Sequence, residues 1–135
     1  MMAKPKPFTP EQFEVRLNHA IERLIADKQS LVGEERCDIR VADIANIFNV
    51  NVATLRRWCI EHVQKNPSQY LAEYRIERAQ HLLRQGTKSS KVSDMLAFTE
   101  QKVFSTTFRR YLGVTPSDYV KAFSIDSPAH TKFNK

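Results

Sequence analysis

Two short stretches of the chain concentrate side chains that donate hydrogen bonds. Arginine and lysine can donate to O6 and N7 of guanine, glutamine can pair with adenine, and small hydroxyls can contact bases or phosphates. Apart from Glu100, these stretches contain almost no carboxylate, so they are candidate sites for a polyanion. The candidate contacts with DNA bases are Ala53, Thr54, Arg56, Arg57, Gln101, Lys102, Val103, Ser105 and Thr106. The candidate contacts with DNA phosphates are Asn51, Lys65, Ser68, Arg109 and Arg110.

Other reactive side chains do not form a pattern that indicates catalysis. Cys59 and His62 have the spacing of a metal-binding pair, but they share an apolar helical face with Trp58. Two such ligands are more often core residues, so we predict core packing for all three and no metal site. The sequence contains no glycine-rich phosphate loop, no nucleophile beside a base and no carboxylate cluster. We therefore predict neither an enzyme nor a cofactor.

The composition sets the size and the charge of the molecule. The chain has 135 residues, 41% of them hydrophobic and 27% charged, and a net charge of +6. Residues 51–135 carry 14 Lys/Arg against 7 Asp/Glu, whereas residues 1–50 carry 7 against 8. No apolar stretch approaches the roughly 20 residues that span a bilayer, and two cysteines cannot form a disulfide framework. We expect one small domain's worth of chain in the cytoplasm, associated with the nucleoid, with a polyanion partner for the basic part and no membrane partner.

Helix start signals recur along the chain and strand signals are nearly absent. Thr9, Asn66 and Thr115 each precede a proline, which is the pattern of a capped helix start. Gly86 and Gly113 each follow an apolar helical pattern and predict left-handed helix ends. The sequence thus predicts an all-α fold, with a loop at residues 30–38 and a flexible tail at 124–135. The predicted helices span about 10–27, 41–48, 52–63, 67–85, 90–96, 100–112 and 116–123.

An internal repeat relates two parts of this helical pattern. Leu55, Trp58, Cys59, His62 and Val63 match Phe104, Thr107, Phe108, Tyr111 and Leu112 after a shift of 49 residues, and the proline-linked helix starts match at the same offset. Upstream, Ile44, Ala45, Phe48 and Val50 match Val92, Ser93, Leu96 and Phe98 at an offset of 48. Each copy has a short helix, a turn and a second helix, with a small residue where the helices cross. This is the helix-turn-helix pattern, whose second helix enters the DNA major groove.

The repeat predicts the organisation of the chain. An N-terminal helix and loop (1–38) precede a first helix-turn-helix module (39–66), a linker helix (67–86), a second module (87–123) and the tail. The linker helix would be about 28 Å long, comparable to the roughly 34 Å between successive major-groove faces. A single chain could therefore place two recognition helices on one side of the duplex.

Residues 39–123 resemble the DNA-binding domain of the AraC/XylS family of bacterial transcription regulators. The strongest similarity lies in 70–83 (YLAEYRIERAQHLL) and 104–119 (FSTTFRRYLGVTPSDY). The resemblance implies two homeodomain-like three-helix units that bind specific double-stranded DNA. It also implies a stand-alone transcriptional activator that contacts RNA polymerase.

Several positions depart from the family pattern. Ala97 and Gln64 stand where glycine is usual, Ser93 where alanine is usual, and Cys59 where phenylalanine is usual. A positive φ at Ala97 or Gln64 would strain each residue by roughly 1 kcal/mol. Thr106 stands where many members carry a basic residue, so we expect the second module to discriminate bases less than the first.

The N-terminal helix leaves alternatives open. Its apolar stripe of Phe13, Leu17, Ile21 and Leu24 would pack onto the first module. Alternatively, residues 10–27 bind a second copy or another protein, and the chain acts as an interaction module or an antagonist of another regulator with weak DNA binding. A third hypothesis, a small-molecule sensor with a pocket between the modules, has no supporting residues. We expect Arg75 and Arg78 to pair with glutamates or to brace the modules.

Overall fold

The computed structural model describes residues 8–29 and 38–125 as seven α-helices, with no strand in these ranges. The all-α prediction is confirmed. Residues 30–37 of the predicted loop and 126–135 of the predicted tail lie outside the described residues. The last helix continues through Ile125, two residues beyond its predicted end at 123, and the tail stays a prediction. The helices are α1 (Pro10–Gln29), α2 (Val41–Phe48), α3 (Val52–Val63), α4 (Pro67–Arg84), α5 (Ser89–Met95), α6 (Gln101–Leu112) and α7 (Pro116–Ile125).

The proline-linked helix starts are capped as the sequence predicts. The Gln12 amide donates to Thr9 Oγ1 at 3.1 Å, and the Thr9 amide donates to Gln12 Oε1 at 3.0 Å. Asn66 caps α4, and Thr115 caps α7, by accepting a hydrogen bond from the amide three residues later. Each cap satisfies a backbone donor that the first helical turn leaves without a partner.

The first module, formed by α2 and α3, packs together with α1 as a three-helix unit. Phe13, Leu17 and Ile21 of α1 are fully buried, as are Ile44 of α2 and Leu55 of α3. The prediction that the α1 stripe packs onto the first module is confirmed. These apolar side chains lie in the core of this chain, so the stripe itself is not available to a partner, and binding of a second copy or another protein through residues 10–27 stays a prediction.

The second module, formed by α5 and α6, packs on α4 in the same three-helix manner. Val92, Phe104 and Phe108 are fully buried, and they lie with Ala79 and Leu83 of α4 in one hydrophobic core. Helix α7 closes this unit, where the Tyr119 ring meets the Phe108 ring edge-on at a centroid distance of 5.5 Å. Helix α4 therefore contributes core residues to the second unit, while its first residue, Pro67, comes shortly after the end of α3 in the first unit.

A row of polar contacts, the α1–α4 ladder, joins the N-terminal helix to the linker helix. The Tyr70 hydroxyl lies 2.9 Å from Glu14 Oε2 and 2.6 Å from Asn18 Oδ1 and can donate to either. One turn later the Tyr74 hydroxyl donates to Glu22. Because residue numbers rise together in both helices, α1 and α4 run parallel. Burial and the neighbouring carboxylates raise the pKa of both tyrosines, that of Tyr74 to about 12.

Left-handed residues mark equivalent turns of the two modules. Asn49, between α2 and α3, has a φ of 61°, and Ala97, between α5 and α6, has a φ of 63°. Gln64 ends α3 with a φ of 58°, and Gly113 ends α6 with a φ of 80°. Gly86 also has a positive φ, as predicted. The strain expected at Ala97 and Gln64 is therefore present, since both adopt the left-handed region.

Among the described residues, no helix combines the length and apolar character needed to cross a membrane.

Candidate nucleic-acid interface

Helix α3 buries one face and exposes the predicted base contacts on the other. Leu55 and Cys59 are fully buried. Ala53, Arg56 and Arg57 are exposed, and Thr54 is half-buried at the start of the helix. Within the described residues, neither guanidinium of this face is paired with a carboxylate. Both arginines are therefore available to an external acceptor.

The exposed face of α3 also includes a residue that the sequence analysis missed. Ile60 is 51% exposed and lines a shallow surface with Ala53, Arg56, Arg57 and Glu61. Its position three and four residues after the two arginines places it on their face of the helix. That spacing could have identified it from the sequence. Ile60 adds an apolar surface of the kind that can contact a thymine methyl group.

Helix α6 repeats this arrangement with different side chains. Phe104 and Phe108 are fully buried, and Val103 is 39% exposed. Ser105 is half-buried, which leaves its hydroxyl less accessible than the exposed side chains of this helix. The remaining exposed side chains of this face are Gln101, Lys102, Thr106, Arg109 and Arg110. The register predicted by the repeat thus places the α6 candidates on the outer face.

Gln101 is partly engaged within the protein. Its Nε2 donates to Ser89 Oγ at 3.3 Å across the two helices of the second module. A contact between Gln101 and a base would share or replace this hydrogen bond. No sequence pattern indicates this bond, because it joins residues from two different helices.

The predicted phosphate contacts differ in whether their side chains already make hydrogen bonds within the protein. Ser68 is exposed in the first turn of α4, and Arg109 and Arg110 are exposed in the last turn of α6. Asn51 caps α3, with its Oδ1 accepting from the Thr54 amide at 2.8 Å, so only its NH₂ group is left to contact phosphate. These four residues carry donors toward solvent at helix ends.

Lys65 is the predicted phosphate contact whose charge is already matched. Its Nζ lies 2.5 Å from Glu73 Oε1, and the hydrogen bond from Lys65, followed by one from Gln69, lowers the pKa of Glu73. A phosphate would therefore compete with a carboxylate for this ammonium group. The eight-residue separation between Lys65 and Glu73, across the turn into α4, gave no helical-spacing signal for the pair.

Cys59, His62 and Trp58 pack in the core of the first unit, as predicted. Cys59 is fully buried, and burial raises its pKa to about 12. The His62 ring lies 5.1 Å from the Phe13 ring, and Trp58 meets the Phe8 ring edge-on at 5.5 Å. No group of three or more His, Cys, Asp or Glu within the described ranges could hold a metal ion.

Arg75 and Arg78 brace the structure, although Arg75 does so with a different partner from the one expected. Arg78 lies 3.9 Å from Glu22 of α1 in an exposed ion pair. Arg75 is buried and pairs with Asp38, an aspartate rather than a glutamate, at 3.1 Å. Burial lowers the pKa of Arg75, and the charge of Asp38 opposes that shift. Its place in an apolar row between Leu71 and Ala79 on α4 is the sequence signal of a buried arginine.

An open groove of about 410 Å³ lies between α1, α4 and the end of α6. Its lining includes Tyr70, Tyr111, Glu14, Glu73 and Glu77. Glu14 is bonded to Tyr70, and Glu73 to Lys65, so part of its polar surface is engaged internally. The acidic lining distinguishes this groove from the donor-rich faces of α3 and α6.

Comparisons with known proteins agree with this geometry. A family model described as a helix-turn-helix domain matches residues 44–122, more than half of the chain. An AraC-type DNA-binding domain-containing transcriptional regulator from Chromobacterium violaceum superposes with a TM-score of 0.60 at 22% identity, covering 85% of this chain and 97% of that one. The chain belongs to the AraC/XylS family. That family is one of DNA-binding helix-turn-helix proteins and not of enzymes, in agreement with the sequence analysis.

Two curated relatives of this AraC-type chain are longer proteins. An uncharacterized response regulatory protein of Staphylococcus epidermidis is 36% identical over 83 residues, which are 62% of this chain and 33% of that protein. The transcriptional regulatory protein HptR of Staphylococcus aureus is 34% identical over 83 residues, with the same coverage. The matched stretch thus spans about a third of these relatives.

Proposed function

We propose that this AraC-type chain binds specific double-stranded DNA and regulates transcription by placing α3 and α6 in successive major-groove segments. The observation that carries the proposal is that both helices have one buried face and one exposed face at the same register of the repeat. Each has a buried apolar face, with Leu55 and Cys59 in α3 and Phe104 and Phe108 in α6, and an exposed outer face that carries hydrogen-bond donors. Helix α4 has 18 residues, and its length of roughly 27 Å suits the spacing of successive major-groove faces.

The two faces suggest different roles on DNA. Arg56 and Arg57 can each make a bidentate contact with guanine, whereas Ser105 and Thr106 at the equivalent register offer hydroxyls that distinguish bases poorly. Ala53, Thr54, Gln101, Lys102 and Val103 complete the proposed base contacts. Asn51, Ser68, Arg109 and Arg110 contact phosphates and fix the register, with Lys65 contributing where Glu73 releases it.

The proposed regulatory role is that of an activator that contacts RNA polymerase in the cytoplasm, at the nucleoid. HptR, a relative with 34% identity over 83 residues, is named a transcriptional regulatory protein, which supports regulation but not its sign. The competing role, a protein-interaction module acting through the N-terminal helix, has less support because Phe13, Leu17 and Ile21 are buried within the chain.

Selection of bound sites from a random duplex pool tests the proposal. We expect enrichment of a motif in two parts, about one helical turn apart. Affinity for the enriched site should fall as the salt concentration rises. The slope of log K against log salt should be about −0.9 for each phosphate contact, and so about −3.6 or steeper for at least four contacts. Arg23→Gln is the control for loss of one positive charge outside the proposed DNA contacts, since Arg23 is an exposed arginine of α1 paired with Asp27. Its affinity and salt dependence should equal those of the parent. No enrichment and an affinity independent of salt would contradict the proposal.

A further inference from the structure

One buried arginine contacts both modules at once. Arg75 lies in the middle of α4, and its side chain is 6% exposed. Its Nη1 lies 3.1 Å from Asp38 Oδ1, on the segment that leads into α2. The same nitrogen is 3.3 Å from the Leu96 carbonyl oxygen and 3.4 Å from that of Ala97, in the turn between α5 and α6. The guanidinium therefore joins the entry of the first module to the turn of the second.

The surroundings hold this guanidinium in one place. Its central carbon lies 4.0 Å from the centroid of the Phe98 ring, a cation–π contact. Asp38 is itself fixed, because its Oδ1 also accepts from the Ile39 amide at 2.9 Å. A buried charge without its partner is strongly destabilising, so any movement of one module away from the other that separates this pair is opposed.

The turn that Arg75 contacts determines how α6 leaves α5. Ala97 adopts a φ of 63°, and the carbonyl groups that accept from Arg75 belong to Leu96 and Ala97 themselves. Phe98, which stacks on the guanidinium, is buried three residues before α6 begins. A shift of Arg75 would therefore be transmitted to the direction of α6.

We infer that the Arg75–Asp38 pair fixes the separation of the two recognition helices and so selects the spacing between the two halves of the DNA site. The inference rests on the proposed function for its DNA consequence but not for its structural one. Arg75 is a positioning residue, since it is buried away from the donor faces of α3 and α6. Arg78 provides a matched control, because its ion pair joins α4 to Glu22 of α1 alone and its side chain is 55% exposed.

The structural test measures the distance between the modules without DNA. Spin labels are placed at Ala53→Cys and Thr106→Cys, with Cys37→Ser; Cys59 is buried and escapes labelling. The test variant is Arg75→Met/Asp38→Asn, which leaves no unpaired buried charge and keeps a side-chain oxygen for the Ile39 amide. Release of the modules should widen the distance distribution about twofold relative to the parent and to Arg78→Gln. An unchanged distribution in the folded test variant overturns the inference.

The DNA test uses the selected site with one or two base pairs inserted or removed between its halves. Each base pair rotates one half by roughly 35° relative to the other. The parent and Arg78→Gln should lose at least about tenfold in affinity, a difference of about 1.4 kcal/mol, whereas the test variant should lose less than about threefold. A spacing profile equal to that of the parent contradicts the inference. If the parent itself selects no site, the proposed function fails, and the spin-label distances still decide the structural claim.

If the double variant fails to fold, as judged by its helical circular dichroism, Arg75→Met alone replaces it in both tests. This change removes the buried guanidinium and leaves Asp38, whose side chain is 44% exposed, in contact with water and bonded to the Ile39 amide. The same two outcomes apply: a wider distribution with relaxed spacing supports the inference, and parental behaviour overturns it. Loss of folding in both variants while Arg78→Gln remains folded would show that the pair serves global stability, and the inference would be rejected.

Discussion

The two modules share a backbone pattern but build their cores from different sources. Cys59 of the first module occupies the position of Phe108 in the second, and both are fully buried. The smaller side chain in the first module is accompanied by one aromatic residue from α1, since the Phe13 ring lies 5.5 Å from Phe48 and 6.3 Å from Trp58. The second module instead uses its own phenylalanines. The motif therefore constrains the crossing point, where Ala45 and Ser93 are both small and buried, more than the core around it.

The turns of the modules differ in a complementary way. The first module places asparagine, which tolerates a left-handed conformation, between its helices and a glutamine at the end of its recognition helix. The second has alanine between its helices and glycine at the end. Each module thus contains one left-handed residue suited to the conformation and one that is strained by it.

One substitution in each core tests whether the two units unfold together, and it should have the largest effect on the free energy of unfolding. Phe108→Ala should lower the free energy of unfolding by about 3–5 kcal/mol, whereas Cys59→Ala at the equivalent position should lower it by about 1–2 kcal/mol, because fewer buried atoms are lost. Urea unfolding is followed by the fluorescence of Trp58, the single tryptophan of the chain, and by circular dichroism. Since Trp58 lies in the first unit, it reports on a change made in the second only if the units are coupled.

Coupling through α4 and Arg75 predicts coincident transitions by both probes in both variants. A Trp58 transition that Phe108→Ala leaves in place, while the helical signal shifts, would mean that the units unfold independently. A chelator should change neither midpoint, because Cys59 and His62 are core residues in this structure.

The next prediction sharpens the difference between the two outer faces. Arg57→Ala should weaken binding to the selected site by about 1–3 kcal/mol more than binding to random duplex, because a bidentate guanine contact is lost. Arg109→Ala should weaken both by similar factors, because a phosphate contact carries no sequence information. Binding of both variants to both DNAs is measured at one salt concentration.

Arg23→Ala serves as the control for a lost surface charge, since this arginine is on α1 and pairs with Asp27. Equal losses for Arg57→Ala on selected and random duplex would remove Arg57 from the base contacts. A selective loss for Arg109→Ala would place sequence discrimination in the second module as well.

The smallest effect concerns the two strained turn residues. Gln64→Gly should stabilise the fold by about 0.5–1 kcal/mol, because Gln64 is exposed and glycine removes its left-handed strain. Ala97→Gly should be nearly neutral, because Ala97 is 3% exposed and loss of its buried methyl group offsets about 0.8 kcal/mol of the relief. Thermal unfolding of the two variants measures the difference.

Gly113→Ala is the reciprocal control. An added Cβ there meets no atom within 4 Å, so its cost of about 1 kcal/mol comes from the positive φ alone. If Ala97→Gly raised the free energy of unfolding as much as Gln64→Gly does, burial of the Ala97 methyl group would contribute little to stability.

The parts of the structure that the sequence predicted depend on local signals. The caps at Thr9, Asn66 and Thr115 act over three residues, and the register of the repeat fixes which side of α3 and α6 is buried. The domain boundaries drawn from the repeat stay a prediction, and the core of the first unit includes α1, which lies outside the span assigned to the first module. The end of α7 was set too early because its last residues carry no strong periodicity.

The parts that could not be predicted depend on contacts between elements. Asp38 lay in a segment assigned to a loop, and its pairing with Arg75 requires the positions of α2, α4 and the α5–α6 turn together. The sequence identified Arg75 as a brace but could not choose its partner among many carboxylates. The bond from Gln101 to Ser89 was equally inaccessible, because it depends on how α5 and α6 cross.

Because α1 and α4 lie side by side but far apart in the chain, the contacts between them form late during synthesis on the ribosome. The ladder joins residues 52 to 56 positions apart, with the whole first module between them in the chain. Such non-local contacts close only after the intervening chain has been made, and they slow the step that depends on them. Helix α1 therefore leaves the exit tunnel before α4 and gains its polar partners only when Tyr70 and Tyr74 follow. A nascent chain that has emerged from the tunnel up to residue 66 would hold the first module with one side of α1 still exposed.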